Sequence, residues 1–425
     1  MSEAFTLDNG LRIVLTPSAT DVVYAGIAVA AGTRSELAGE SGMAHLVEHM
    51  TFKGTSHLSS VQILNRMESV GGELNAYTGK EETIYYATFL RQHLRRAIPL
   101  LLDIVFNSTY PQEELEKERE VVIDEIESYN DSPAELIYDD FEALLFPNHP
   151  LGRSILGDAH RLRQHTADDL RHFVQRNYRP DRAVMFVKGK VSIEEMKKTL
   201  PPSSLSGREQ LPLITDNSNS TLPLIADNPT TAIHSAPSLI GRVGGESIIP
   251  RHTHQTHVML GARAYAATDP RYIGLYLLSN LLGGPALNSR LSLALRERTG
   301  LVYTVESNLT TYTDTGVWAV YFGCDHDDLH RCQQLVRREL LRLCEAPLTP
   351  RTLAASKRQL KGQLGVAADN FENAALATGK YYLHYGRLIS LEQRFEQIDA
   401  LTPELLHDIA LEVMNPDHLT TLIYQ

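Results

Sequence analysis

Apolar and polar positions alternate with a period of two over several short stretches in the first half of the chain. Residues 11–15 follow the Asn9-Gly10 turn signal as a short strand. Residues 21–31, rich in Val and Ala, form a second, residues 83–89 a third that carries tyrosines, and residues 183–191 a fourth. Between them the period lengthens to that of a helix. Residues 41–52 and 60–70 read as helices, the second stopped by Gly71-Gly72, and longer helices cover 91–106 and 111–129. Periodicity is lost from 201 to 237, where Pro, Ser, Asn and Thr dominate and a linker is expected. The second half repeats the coarse order: a strand over 257–265, a helix over 271–282 broken by Gly283-Gly284-Pro285, and a helix over 288–298. Strands at 302–311 and 316–322, helices at 328–343 and 350–366, and a closing strand at 418–424 follow. The halves share pattern rather than residue identity. The expected fold is α+β, with two related domains of antiparallel or mixed sheet packed with helices: residues 1–200, a linker at 201–237, and residues 238–425.

Composition narrows the function. A chain of 425 residues exceeds a typical single domain. Its 43% hydrophobic and 22% charged residues are ordinary for a globular protein. A net charge of −12 argues against nucleic acid as a partner, which would favour a basic surface. The three cysteines, Cys324, Cys332 and Cys344, fit neither a disulfide framework nor a zinc ribbon, and reduced thiols are expected. The first residues show no secretory signal and no apolar run is long enough for a bilayer, so a cytoplasmic location with no membrane partner is expected.

The chemistry concentrates in His45-Leu46-Val47-Glu48-His49. On a helix His45 and His49 are about one turn apart and can reach one metal ion, while Glu48 stands beside them, free to handle a proton. The order is His-x-x-Glu-His, a recorded zinc-peptidase signature. Catalytic zinc normally takes three protein ligands, so a third is required. The helix over 111–129 offers Glu114, Glu118 and Glu125 away from its apolar stripe. Glu118 and Glu125 share a face, but an exposed acidic face is the commoner explanation of such glutamates, and spacing alone does not choose among them.

These segments resemble the pitrilysin/insulinase family of zinc peptidases, most closely the branch containing the catalytic subunit of mitochondrial processing peptidase and its bacterial relatives. The resemblance is carried by His45-x-x-Glu48-His49 with Glu118-Arg119-Glu120-Val121-Val122-Ile123-Asp124-Glu125, the last residue standing 76 positions after His49. Asn9-Gly10-Leu11, Ala31-Gly32-Thr33-Arg34, Phe52-Lys53-Gly54-Thr55, Gly71 to Thr78, Glu82 to Tyr86, and Arg296 to Tyr303 extend it over most of the chain. Gly283-Gly284-Pro285 stands where the family has a glycine run, and the linker is long and polar. The resemblance implies Glu125 as third ligand and Glu118 as its supporting carboxylate. It also implies one Zn²⁺ per chain and a clamshell of two domains around a chamber, with Arg296 and Tyr303 reaching the active site from the second domain. It further implies that Asn75, Ala76 and Tyr77, with the strand after them, bind substrate by strand addition. A homodimer, or a heterodimer with a related subunit, is implied by the resemblance alone.

The expected activity is a zinc-dependent endopeptidase acting on oligopeptides or unfolded segments, with Glu48 taking a proton from the attacking water. Two His and one Glu suit zinc, although manganese or cobalt accept such donors. The competing readings are a non-catalytic peptide-binding or scaffold subunit and a catalytic subunit active only with a partner. Degenerate subunits typically lose a ligand or the base, whereas His45, Glu48, His49 and Glu125 are all present.

Overall fold

The computed structural model describes residues 2–200, 244–251 and 253–425. The expected linker at 201–237 lies outside the described residues. Two sheets organise the chain. The first has the order β1-β2-β6-β3-β5-β4, from β1 (Glu3–Thr6), β2 (Arg12–Pro17), β3 (Val22–Val29), β4 (Glu73–Thr78), β5 (Thr83–Leu90) and β6 (Ala183–Gly189). The second has the order β7-β11-β8-β10-β9, from β7 (Gly245–Ile249), β8 (Thr256–Ala264), β9 (Val302–Thr311), β10 (Gly316–Cys324) and β11 (Thr420–Tyr424).

The topologies coincide. In each sheet one pair is parallel, β2 with β6 and β7 with β11, and the pairs that follow are antiparallel. With β1 set aside, β2, β3, β4, β5 and β6 correspond in chain order to β7, β8, β9, β10 and β11. The helices correspond as well. Met43–Thr51 occupies the place of Tyr272–Gly283, and Gln112–Asn130 the place of Pro350–Ala368. The fold is therefore α+β with two related domains, and β4 and β9 are equivalent edge strands.

Each sheet is apolar on both faces, and this interleaves the halves. In β6, Met185 and Val187 join the first half's own helical core, while Val184 and Phe186 face the opposite way. That second face, with Val14, Ala28 and Ile84, is covered by Ala375 and Leu383 of the helix Phe371–Tyr385, which comes from the second half. Reciprocally, Leu136, Ile137, Phe141 and Leu145 of the helix Pro133–Leu145 cover Met259, Val317, Ala319, Tyr321 and Leu422 of the second sheet. Strands buried on both faces read as continuous apolar runs, as β6 and β10 do.

Two sequence expectations change. The helix expected from residue 41 begins at Met43, because Gly42 takes a left-handed conformation (φ +79°) that the helix cannot include. The helix expected over 288–298 is short and wide, a π-helical segment at Ser292–Glu297. The Thr299 hydroxyl donates to the Leu295 carbonyl at 2.9 Å and Arg298 N to the Leu293 carbonyl at 3.2 Å.

The interleaving depends on one close approach. Gly379 lies in the helix Phe371–Tyr385 directly over Phe186, and a Cβ there would stand 2.2 Å from the ring. Gly362 lies inside the helix Pro350–Ala368 with nothing within 4 Å of such a Cβ. Gly-to-Ala in a helix normally stabilises by about 0.5–1 kcal/mol, while overpacking costs about 1–3 kcal/mol. Gly362→Ala is therefore expected to raise the denaturant midpoint and Gly379→Ala to lower it, which urea unfolding of the two variants compares directly.

Candidate metal centre

The helix Met43–Thr51 is packed on nearly every side, with Met43, Ala44, Leu46, Val47 and Met50 fully buried. Its start is held by Glu36, whose carboxylate accepts from Ala44 N at 3.0 Å. Burial pushes the Glu36 carboxyl up to about 8, against the pull of that hydrogen bond. Its end is tied by Thr51, whose hydroxyl donates to the Val47 carbonyl at 2.8 Å. The helix Gln112–Asn130 crosses it, burying Leu115, Val122 and Ile123 and turning Glu118 and Glu125 toward the two histidines.

Three donor atoms converge there. The Nε2 atoms of His45 and His49 are 3.2 Å apart, and Glu125 Oε2 stands 3.5 Å from His49 Nε2 and 3.8 Å from His45 Nε2. Four ligands about 2.0–2.1 Å from a tetrahedral zinc are spaced about 3.3 Å from one another, so the triangle is close to the size zinc needs. Among the described residues this is the one group of three or more His, Cys, Asp and Glu side chains that could hold a metal ion.

The surroundings act on the two histidines in opposite directions. His49 Nδ1 donates to Glu118 Oε1 at 2.9 Å, which leaves the Nε2 lone pair facing the triangle. Lys53 Nζ, 2.5 Å from Glu118 Oε2, braces the same carboxylate. Burial pushes the His45 imidazolium down to about 3, helped by the charge of His49, so His45 is neutral and able to ligate. Burial opposes charge on His49 too, but the Glu118 hydrogen bond and the charges of Glu48, Glu118 and Glu125 outweigh it and hold its proton affinity above the ordinary histidine value. For Glu118, burial is outweighed by His49 and Lys53, and its carboxyl lies below the usual range. His45 Nδ1 is buried without a hydrogen-bond partner among the described residues.

Glu48 stands outside the triangle. It is nearly buried and its Oε2 accepts from Thr78 Oγ1 at 2.6 Å. Burial raises its carboxyl above the ordinary value, against the Thr78 hydrogen bond. Asn75, Ala76 and Tyr77 lie in β4, paired with Tyr86, Tyr85 and Ile84 on one side and, among the described residues, unpaired on the other. The following strand, β5, lies between β3 and β4, so of these two strands β4 is the one at the sheet edge.

The structure does not bring Arg296 and Tyr303 to this group. Arg296 sits in the π-helical segment with its Nε 3.2 Å from Glu297, and Tyr303, near the start of β9, is 86% exposed. Among the described residues neither has a hydrogen bond or ion pair to His45, Glu48, His49 or Glu125. Sequence reasoning missed Glu36, Lys53 and Thr78 as supporting groups. Lys53 follows His49 by four positions, a spacing that could have marked it; Glu36 and Thr78 gave no such signal.

Residues 12–159 match the insulinase family, peptidase family M16, and residues 164–360 match the peptidase M16 inactive domain. The chain is 30% identical to the uncharacterized zinc protease YmxG of Bacillus subtilis, over 100% of this chain and 98% of that protein. The chain belongs to the insulinase family of peptidases. It is also 32% identical to an uncharacterized zinc protease of Mycobacterium leprae, over 96% of this chain and 88% of that protein. A protease from Helicobacter pylori shares the fold with a TM-score of 0.86 and 23% identity, over 100% of this chain and 99% of that chain. The peptidase M16 inactive domain from Pseudomonas fluorescens does so at 0.84 and 19%, over 100% and 98%. An inactive second domain agrees with the helices: Tyr272–Gly283 carries no His or Glu, and Pro350–Ala368 carries no acidic residue.

The partners of metal ligands typically change metal affinity by 10–100-fold. Glu118→Ala is therefore expected to weaken zinc binding by about that factor while leaving the three donors in place, measured by competition with a chromophoric chelator.

Proposed function

We propose that this insulinase-family chain is a zinc-dependent endopeptidase of oligopeptides and unfolded segments, with His45, His49 and Glu125 as metal ligands and Glu48 as general base. The observation that carries the reading is the convergence of three donor atoms in one small triangle, with a buried carboxylate one turn from His45. When bound, zinc supplies Lewis acidity toward water and the scissile carbonyl. Glu48 takes the proton of the attacking water and returns it to the leaving amine; burial raises its proton affinity above the ordinary carboxylate value. Glu118 keeps His49 in the ligating tautomer.

The substrate backbone pairs with the free edge of β4 at Asn75, Ala76 and Tyr77, a mode that needs an extended peptide and so favours unfolded segments over folded domains. Arg296 and Tyr303 belong to the second half and make no contact with the donor triangle. In this reading they reach the carbonyl oxygen once substrate is bound in a chamber.

General-base removal typically costs 10²–10⁴-fold. The test is cleavage of a quenched peptide library by the purified chain, with and without chelator, beside Glu48→Gln. Expected are loss of cleavage on chelation, recovery with zinc, and a fall in kcat of about 10²-fold or more in Glu48→Gln. Chelator-resistant cleavage, or full activity in Glu48→Gln, overturns the mechanism. Zinc uptake without cleavage, reversed by adding a related subunit, supports a partner-dependent enzyme instead.

A further inference from the structure

We propose that Thr78 is the positioning residue for Glu48, holding one carboxylate oxygen so that the other is the site of proton transfer. The inference rests on the reading of Glu48 as general base. Glu48 sits on the ligand helix, but a glutamate side chain has three rotatable bonds, and burial alone does not fix the plane of its carboxylate. Among the described residues the hydrogen bond that fixes it is the one from Thr78 Oγ1 to Glu48 Oε2, at 2.6 Å. A hydroxyl on a carboxylate at that separation is a charge-assisted bond, stronger than a neutral one.

The Thr78 hydroxyl has little choice of acceptor. Its neighbour across the hairpin, Thr83, lies 3.4 Å away oxygen to oxygen and gives its own proton to the Ala31 carbonyl at 2.7 Å. A hydroxyl carries a single proton, so that of Thr78 goes to the much closer carboxylate. Threonine is stiff at χ1, and the backbone that carries it is fixed from three directions by the next residues of the hairpin. Lys80 pairs with Asp139 and Glu142 of the helix Pro133–Leu145. Glu81 accepts from Arg34 and from Thr313 N of the β9–β10 turn at 2.9 Å. Glu82 holds Lys380 and His384 of the helix Phe371–Tyr385. Thr78 is also the last residue of β4. The strand proposed to bind peptide therefore holds the base as well, and the offset between scissile carbonyl and base is set within one strand.

The experiment compares Thr78→Val, which keeps the shape and removes the donor, with Thr78→Ser, which keeps the donor. Both are made in the full chain loaded with zinc and assayed on the quenched peptides for kcat, KM and zinc content. A misplaced reacting group costs about 10²-fold. Thr78→Val is expected to lower kcat by about 10–100-fold while KM and zinc content hold, and Thr78→Ser to recover most of the loss. In the Glu48→Gln background, with enzyme concentration raised to keep the rate measurable, Thr78→Val should add nothing, because the two residues act as a unit. Wild-type kcat in Thr78→Val overturns the proposal, as does a full additional loss in the Glu48→Gln background or zinc loss that parallels the fall in rate. A normal loss in Glu48→Gln with an unaffected Thr78→Val sinks the Thr78 assignment alone. Full activity in Glu48→Gln sinks the general-base reading and this inference with it.

Discussion

Both sheets are apolar on two faces, and each half has helices of its own for only one of them. The rest of the structure depends on that constraint. Val184 and Phe186 on one sheet, and Val317, Ala319 and Tyr321 on the other, would meet water if the halves separated. Burying a side chain of this kind contributes about 1.5–3 kcal/mol, so several on each face outweigh what a loose tether would permit. The solution is reciprocal: each half sends one helix to the other's exposed face. The tips of the β4–β5 and β9–β10 hairpins then meet, which is why Glu81 can accept from Thr313 and Arg34 can pair with Glu81 and Asp314 together. The charges at this junction matter less for stability than for register, since partly exposed ion pairs contribute little. They fix where β4 ends, since Glu81 is three residues from Thr78, the last residue of β4, whose hydroxyl contacts Glu48.

The donor triangle follows from a second balance. Two imidazole nitrogens 3.2 Å apart need a shared proton or a cation between them. The surrounding carboxylates favour a cation, and the Glu118 contact orients His49 to meet it. One helix therefore has to be a core element and a ligand support at once, and it does so by giving almost its whole circumference to packing and one line of side chains to chemistry.

The sequence made some of this legible and hid the rest for physical reasons. Among the described residues eight of the eleven strands were visible as short β-rich runs, whereas β1, β4 and β7 were not read from the pattern. His45, Glu48 and His49 were visible because their relation is local to one helix turn. Glu125 is different: its helix carries several glutamates, and only the 76-residue register of a known family picks it out. The partners of the two crossing helices were invisible. Pro133–Leu145 shows an apolar stripe, but nothing in a stripe says that the sheet it covers lies more than a hundred residues away. Gly379 even reads as a helix-weakening residue, although it is what allows the helix to approach Phe186. Thr78 was hidden for the same reason, since a threonine at a strand end is common and its partner is 30 positions away.

Duplication explains why one half carries the chemistry while both are kept. The helix Pro350–Ala368 has the length and place of Gln112–Asn130, and each packs on the equivalent helix of its own half, Tyr272–Gly283 or Met43–Thr51. What differs is the opposite face, where Glu118 and Glu125 have no acidic counterpart. Loss of ligands there costs no packing, because ligand side chains and core side chains lie on different faces of the same helix. Loss of the second half's sheet would be another matter, since it would uncover the helix Pro133–Leu145, and loss of Phe371–Tyr385 would uncover the outer face of the first sheet. The second half is thus free to lose a metal site while its fold is held in place by the half that keeps one.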